Sequence, residues 1–147
     1  MVWTPRVTVA AVVQHNDQFL FVEELINGER VLNQPAGHLE AGETLQSAVI
    51  REVREETARD FKPLALVGIY LWPKPGSDRS YLRFCFSGTV GERHPGQSLD
   101  EDILDTCWLD VAALRAHSRL RSPMVLQCVE DYLTKPHVPV NLLRDMA

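Results

Sequence analysis

A glycine-containing loop followed by an acid-rich helical segment, residues 37–57, constrains this chain more than any other feature. Side chains three and four residues apart share one face of a helix, so Glu52 is expected beside both Glu55 and Glu56. Like charges at this spacing repel by roughly 0.2–0.5 kcal/mol per pair. The pattern therefore predicts a cation beside these carboxylates.

Two kinds of cation meet this need. Arg51 and Arg59 each lie four residues from Glu55, so surface salt bridges would balance part of the charge. A divalent metal ion is the other, because carboxylates are its preferred hard oxygen ligands. From the helix alone, a salt-bridged surface is at least as well supported as a metal site. The loop before the helix shifts the balance towards the metal site.

The spacing from Gly37 to Glu56 fits G-x5-E-x7-R-E-U-x-E-E, in which U is an aliphatic residue, here Val53. This stretch resembles the signature of the Nudix hydrolases, Mg-dependent enzymes that cleave pyrophosphate linkages between a nucleoside diphosphate and another group. That signature continues with glycine and an aliphatic residue, whereas this chain has Ala58 and Arg59. Because glycine permits a left-handed helix end, we expect the departure to affect how the helix ends and not the metal site.

The resemblance implies a role for each signature residue. Glu52 and Glu56 would be the principal ligands of Mg²⁺, or of Mn²⁺ in its place, and Glu55 would assist them. Gly37 would contribute its backbone carbonyl. Arg51 would orient the cluster.

Glu43 stands just before the helix and is expected to bridge to Arg51 or to the helix start, as its counterpart in the signature does. Water attacks a phosphoanhydride in line with the leaving group, and a carboxylate can take its proton. Glu52 and the acidic run 100–102 both qualify as this general base, and we favour Glu52. The loop acids expected to add a metal ligand are Glu101 or Asp102.

Cations and aromatic residues cluster around the loop-like segment 73–80 and could hold a phosphate and stack on a base. Arg83 is the strongest single candidate, because it projects from a predicted strand on the face opposite Phe84 and Phe86, where a bidentate phosphate contact would be held. Among the histidines, only His38 is expected near substrate. The predicted substrate-binding residues are Arg83, Lys74, Arg79, Tyr81 and His38.

Other patterns have ordinary explanations. Residues 91–98 nearly spell a phosphate-binding loop, but Gln97 replaces its lysine and an acidic run follows. The basic cluster formed by Arg115, His117, Arg119 and Arg121 is interpreted as a solvated helix end. The three cysteines are far apart and in no C-x-x-C pair, which predicts reduced core residues: Cys85, Cys107 and Cys128.

Length and composition limit the class of protein. The 147 residues are 45% hydrophobic and 24% charged, so we expect one domain spanning 1–147. A formal net charge of -5 argues against a general nucleic-acid or anionic-membrane binder, whereas bound metal would supply the cations that a polyphosphate needs. No apolar run is long enough to span a membrane or to form a signal peptide, which predicts a cytoplasmic protein.

Periodicity and turn signals predict the order of elements. Strands are expected at 6–13, 19–25, 30–34, 64–72, 81–90 and 103–109, with Pro63 marking a break before the fourth. Helices should begin after Thr44, after Asp110 and at Ser122-Pro123. In the strand 81–90, we assign the face of Leu82, Phe84 and Phe86 to the core.

The resemblance extends beyond the signature, because residues 32–40 and 120–123 are similar to a bacterial phosphatase-type Nudix subgroup. Its members release orthophosphate from nucleoside tri- and diphosphates and from the hydroxymethylpyrimidine pyrophosphate of thiamine synthesis. It implies an α/β fold, the Nudix-type α/β/α sandwich with a mixed sheet. The implied partner is a small-molecule nucleotide or pyrophosphate, and the implied protein is a monomer or a homodimer.

Two alternatives stay open. One is a pyrophosphohydrolase that acts on a nucleoside diphosphate sugar or a dinucleotide, or removes pyrophosphate from a nucleoside triphosphate, because fold alone does not separate these activities. The other is a non-catalytic nucleotide-binding regulator on the same scaffold. The intact acids Glu52, Glu55 and Glu56 weigh against it, since a pure binder has little need of a repelling carboxylate cluster.

Overall fold

The computed structural model describes residues 1–146. These residues form eight strands, three α-helices and a short 3₁₀ helix. In order these are β1 (Arg6–His15), β2 (Gln18–Ile26), β3 (Glu29–Asn33), β4 (Ala36–His38), α1 (Leu45–Thr57), β5 (Phe61–Pro73), β6 (Ser80–Val90), β7 (Ile103–Leu109), α2 (Val111–Ala116), α3 (Met124–Thr134), β8 (Val138–Pro139) and the 3₁₀ helix Val140–Leu142.

Strand β1 connects two halves of a mixed sheet. It runs parallel to β6 and antiparallel to β4, and it pairs with β2 only near the hairpin, at Gln14 with Phe19 and His15 with Gln18. Strand β2 then leaves β1 and pairs with β3 and β7. The strand order is β3-β2-β1-β6-β5-β8, with β4 beside β1 and β7 beside β2.

Helices cover both faces of this sheet. On one face, Val9 and Val13 of β1 belong to a core that includes Val49 and Val53 of α1. On the other face, the alternate β1 residues pack with α2 and α3, for example Val12 with Val129. Both sides of β1 are buried, and the predicted α/β/α sandwich with a mixed sheet is confirmed.

The two covered faces change the assignment of β6. Phe86 is in the core on the α1 side, but Cys85 is equally buried on the α3 side and Arg83 is only 4% exposed. Assigning the core to one face of this strand alone was therefore wrong, because a strand inside a sandwich has no solvent-facing side.

Helix α1 begins as predicted and ends as a glycine would end it. Thr44 and Ser47 form a reciprocal capping box, which satisfies free backbone N–H groups at the helix start. At the other end, Ala58 adopts a left-handed conformation with φ of 58°, and its N–H donates to the carbonyl of Arg54. Alanine thus forms the helix end usual for glycine, although this region costs an L-residue roughly 1–2 kcal/mol.

Several boundaries differ from the sequence-based predictions. Pro63 does not precede β5 but lies within it, at a register shift that accommodates a residue without an N–H. Residues 36–38, expected as loop, form β4. The predicted start of α3 is confirmed to within a residue, since Ser122 Oγ accepts from the N–H of Met124. All three cysteines are free, and Cys85 and Cys128 are buried.

Within residues 1–146, no helix is both long and apolar enough to cross a membrane.

Candidate active site and metal centre

The close approach of β4 to α1 forms the centre of the site. A Cβ atom added to Gly37 would overlap the carboxylate of Glu52, so the backbone of β4 approaches this side chain as only glycine permits. Strand β4 in turn is held by β1, where Gly37 pairs with Val9. The sheet therefore fixes the distance between the loop and the first acid of the helix.

Arg51 links the acids of the loop and the helix. Its Nε and Nη2 donate to the Glu43 carboxylate at 2.6 and 3.0 Å, and its Nη1 donates to Glu52 at 2.7 Å and to Glu55 at 3.2 Å. Nη2 also donates to the carbonyl of His38 at 3.0 Å. The hydrogen bond from Arg51 lowers the pKa of Glu43, and the Glu43 contact raises the pKa of Arg51. The predicted Glu43–Arg51 bridge is present.

Three carboxylates converge beside this arginine. Glu52, Glu55 and Asp100 each offer an oxygen, and these three oxygens all lie within 4.8 Å of one another. Asp100 belongs to the loop before β7, and its N–H donates to the carbonyl of Glu55 at 3.0 Å. This hydrogen bond fixes the loop acid at the C-terminal end of α1.

The loop acid that joins the cluster differs from the expected one. Glu101 and Asp102 were predicted as the added ligand, but neither belongs to the group formed by Glu52, Glu55 and Asp100. Glu101 is exposed, and Asp102 lines the neighbouring cavity. Asp100 takes this place because its backbone N–H, and not that of Glu101 or Asp102, donates to the carbonyl of Glu55 in α1.

Glu56, predicted as a principal ligand, is not one of the three converging acids but lies deeper and is 6% exposed. Its Oε1 accepts a hydrogen bond from the N–H of Ala36 at 2.8 Å, which ties α1 to β4. Burial raises the pKa of Glu56 to about 9, and the charges of Glu52, Glu24 and Asp100 act in the same direction. Burial likewise raises the pKa of Glu52. The surroundings of the Glu56 carboxyl thus strongly disfavour its negatively charged form.

These acids fit a divalent cation. Arg51 is shared among Glu43, Glu52 and Glu55, so one positive charge faces several carboxylates. Arg59, predicted as a second cation for Glu55, instead donates to the carbonyl of Gly91 and lies over Trp108. Closely spaced hard oxygen donors with surplus negative charge are the chemistry that Mg²⁺ or Mn²⁺ selects.

A cavity of about 280 Å³ opens beside β4 and adjoins the acidic cluster at Gly37. Trp72 and Tyr81 lie in its wall with stacked rings, 6.0 Å between centroids. Four of the five predicted substrate residues line it. They are Arg83, Lys74, Tyr81 and His38.

Arg79 does not line this cavity but a separate one, together with Arg6. Its charge still reaches the site: burial lowers the pKa of His38, and the charges of Arg6, Arg121 and Arg79 lower it further. Arg79 is thus the one predicted substrate-binding residue outside this cavity, and its direct contact with substrate stays a prediction.

Arg83 is buried and held on both sides. Its Nη1 donates to Gln34 Oε1 at 2.9 Å and its Nη2 donates to Asn33 Oδ1 at 3.1 Å. These contacts use only part of the guanidinium, because its Nε–H has no partner within residues 1–146, so the bidentate phosphate contact expected from the sequence stays a prediction. The partners are the last residue of β3, Asn33, and the residue that follows it, Gln34.

Two charged residues in the cavity wall were not predicted from the sequence to belong to a binding site. Arg121, interpreted as part of a solvated helix end, lies in the cavity wall, because its N–H donates to the carbonyl of Leu32 and anchors the segment before α3. Its Nη1 lies 3.5 Å from Oε2 of Glu24, the second residue missed. The sequence signal for Glu24 was a charged residue within the otherwise apolar run of β2.

Two other members of the basic cluster that was predicted to be solvated, Arg115 and Arg119, do form ion pairs at the surface.

The sequence model of the NUDIX domain matches residues 4–127, which is most of the chain. The chain belongs to the Nudix hydrolase family. Among Nudix proteins of known function, it is 40% identical over 142 residues to Phosphatase NudJ of Escherichia coli K12, covering 96% of this chain and 92% of that protein. Phosphatase NudJ of Shigella flexneri gives the same values.

A solved Nudix structure agrees with this assignment. The NUDIX hydrolase from Nitrosomonas europaea superposes with a TM-score of 0.93 and is 44% identical, covering 97% of each chain. The more distant MutT NUDIX hydrolase from Burkholderia pseudomallei, 15% identical with a TM-score of 0.76, supports the fold alone. The predicted family, fold class and enzyme class are confirmed.

Proposed function

We propose that this Nudix hydrolase uses Mg²⁺, or Mn²⁺ in its place, to hydrolyse phosphoanhydride bonds of nucleoside di- and triphosphates or of a related pyrimidine pyrophosphate. The observation that carries the proposal is the convergence of Glu52, Glu55 and Asp100 beside Gly37 and the buried Glu56. The release of orthophosphate is inferred from the 40% identity to proteins named Phosphatase NudJ.

The metal ligands in this proposal are Glu52, Glu55, Glu56 and Asp100, with the carbonyl of Gly37. Bound there, Mg²⁺ would withdraw charge from the phosphate oxygens of the substrate. Arg51 positions the cluster, because it donates to both Glu52 and Glu55 while Glu43 holds it from the other side.

Glu52 is the proposed general base. Burial raises the pKa of its carboxyl, which makes its carboxylate a better proton acceptor than an exposed glutamate. Its Oε1 is held by Arg51 at 2.7 Å, so its orientation is set before substrate arrives. Asp100 is the second candidate for this role, since it is the loop acid that joins the cluster.

The cavity beside β4 is the proposed site for the group attached to the diphosphate. Tyr81 and His38 offer ring surfaces, with 6.5 Å between their centroids, and Lys74 offers a cation within the same wall. Arg83, a buried residue of the cavity wall, is proposed to contribute a further positive charge. Arg79, which lies outside it, is proposed to act on substrate only through its charge.

A panel of nucleoside di- and triphosphates, hydroxymethylpyrimidine pyrophosphate, nucleoside diphosphate sugars and dinucleotides, assayed with Mg²⁺, tests the proposal. The expected result is orthophosphate release from the nucleoside di- and triphosphates and from hydroxymethylpyrimidine pyrophosphate. Pyrophosphate, or a pair of nucleoside monophosphate products, would identify a pyrophosphohydrolase instead. Tight binding without turnover of any compound would overturn the catalytic assignment.

A further inference from the structure

Two residues that line the cavity beside β4 each have a buried polar atom without a hydrogen-bond partner. Within residues 1–146, Glu24 Oε1 and Arg83 Nε are the buried side-chain atoms left in this condition, and both residues line the same cavity. Glu24 is 9% exposed and Arg83 is 4% exposed. An unpaired buried polar group costs about 1–3 kcal/mol, so such atoms call for a functional explanation.

The other atoms of these two side chains are engaged, which fixes the orientation of the unpaired ones. Oε2 of Glu24 lies 3.5 Å from Arg121 Nη1. Both terminal nitrogens of Arg83 donate to side chains at the end of β3. One of these, Asn33, lies on β3, which pairs with the strand that carries Glu24, and it lines the same cavity as Glu24 and Arg83. Asn33 therefore places the two residues in one site.

The two unpaired atoms have opposite requirements. Glu24 Oε1 accepts a hydrogen bond, whereas Arg83 Nε–H donates one. A phosphate group offers acceptors only, so it has nothing to donate to Glu24 and is repelled by its charge. A ligand that meets both needs has a donor and an acceptor on one edge, and the rings of Trp72 and Tyr81 in the cavity wall suit a flat, stacking group.

We infer that Glu24 and Arg83 read the edge of a heteroaromatic base, Glu24 accepting from its N–H and Arg83 Nε donating to its adjacent nitrogen or oxygen. The inference rests on the proposed function, because it assigns the cavity to the base and the acidic cluster to the diphosphate. Pyrimidines such as uracil and cytosine carry such an edge. Methylation of the N–H removes the donor and leaves the ring and the phosphates unchanged.

The test compares substrates with and without the edge donor: UTP against N3-methyl-UTP, and CTP against N4,N4-dimethyl-CTP. For the wild-type enzyme we expect methylation to lower kcat/KM by about tenfold or more, because the buried carboxylate then stays unpaired. Glu24→Met keeps a similar side-chain volume but removes the acceptor. In this variant the kcat/KM values of each substrate and its methylated analogue should agree within about threefold. The same change at the neighbouring residue, Glu23→Met, is the matched control and should keep the wild-type ratio, since Glu23 pairs with Arg30 outside the cavity.

Binding without turnover separates this inference from the proposed function. UMP should raise the Tm of the protein in EDTA, and N3-methyl-UMP should raise it less, whether or not any diphosphate is hydrolysed. Equal rates and equal Tm shifts for methylated and unmethylated ligands would overturn the inference. So would a wild-type preference that survives in Glu24→Met. If kcat/KM and the Tm shifts depended only on the number of phosphates in the ligand, the inference would also be overturned, and the cavity would be assigned to a terminal phosphate.

Discussion

The backbone of Gly37 and the carboxylate of Glu52 are so close that no side chain fits between them. Gly37→Ala should therefore push the Glu52 carboxylate out of the cluster without unfolding the sheet. A displacement of this kind lowers kcat by about 100-fold, since catalysis is sensitive to shifts of an ångström. Gly91→Ala is the control, because a Cβ there meets nothing within 4 Å and the residue is not in a left-handed conformation. Equal activities of the two variants would show that the close approach has no role in catalysis.

The loop acid of the metal site is predicted to be Asp100. Asp100→Asn should weaken the affinity for Mg²⁺ by about tenfold or more, because it removes a charged oxygen ligand while the backbone bond to Glu55 stays. Glu101→Gln changes an exposed neighbour outside the cluster and should leave that affinity unchanged. Titration of activity with Mg²⁺ gives both values. If Glu101→Gln and not Asp100→Asn weakened the affinity for Mg²⁺, the loop would place Glu101 at the metal site instead of Asp100.

Glu43 is predicted to act on catalysis only through Arg51. Glu43→Gln weakens the 2.6 Å contact that holds the guanidinium and should lower kcat by about 10–100-fold with little change in KM. Glu40→Gln is the matched control, because the Glu40 carboxylate is exposed and lies 3.7 Å from Arg51. A large rise in KM with an unchanged kcat would instead place Glu43 in contact with substrate.

Stability without metal is predicted to fall as the pH rises. The pKa of Glu56 is about 9 in the folded protein, well above that of an unfolded glutamate, so folding is favoured most below the unfolded value of about 4.5. Between these values the folded state holds a proton that the unfolded chain has lost. In EDTA, the Tm should drop by about 3 °C or more between pH 6 and pH 9.

Added Mg²⁺ should raise the Tm more at pH 9 than at pH 6, because its binding displaces that proton. Glu56→Gln should remove most of both effects, and scanning calorimetry measures them directly. A Tm in EDTA that is constant or rises over this range would contradict the burial of an uncompensated carboxyl at position 56.

Local signals made much of the fold predictable. Thr44 before an apolar stripe predicts the start of α1, and the turn at residues 15–18 predicts the β1–β2 hairpin, because caps and turns act within a few residues. The left-handed Ala58 shows the limit of such rules. There, packing around a fully buried residue outweighs a local backbone preference.

The interior of the cavity was not predictable in the same way. Arg83 is held by Gln34 and Asn33, which are 49 and 50 residues away in the sequence. Arg121 enters the cavity only because its segment binds the edge of β3. These contacts depend on how the two halves of the sheet diverge after the β1–β2 hairpin. The acids of α1 were predictable because one helix carries them, whereas Asp100 required the path of a distant loop.

The most direct test of this account is the turnover of Glu52→Gln with saturating Mg²⁺, measured on the best substrate of the panel. The substitution keeps the size of the side chain and the hydrogen bond from Arg51 but removes the charge that serves as ligand and base. We predict that kcat falls by about 10²–10⁴-fold, with a Tm in EDTA at least equal to that of the wild-type protein. Turnover within about tenfold of the wild-type value would contradict the assignment of the acidic cluster as the catalytic metal centre.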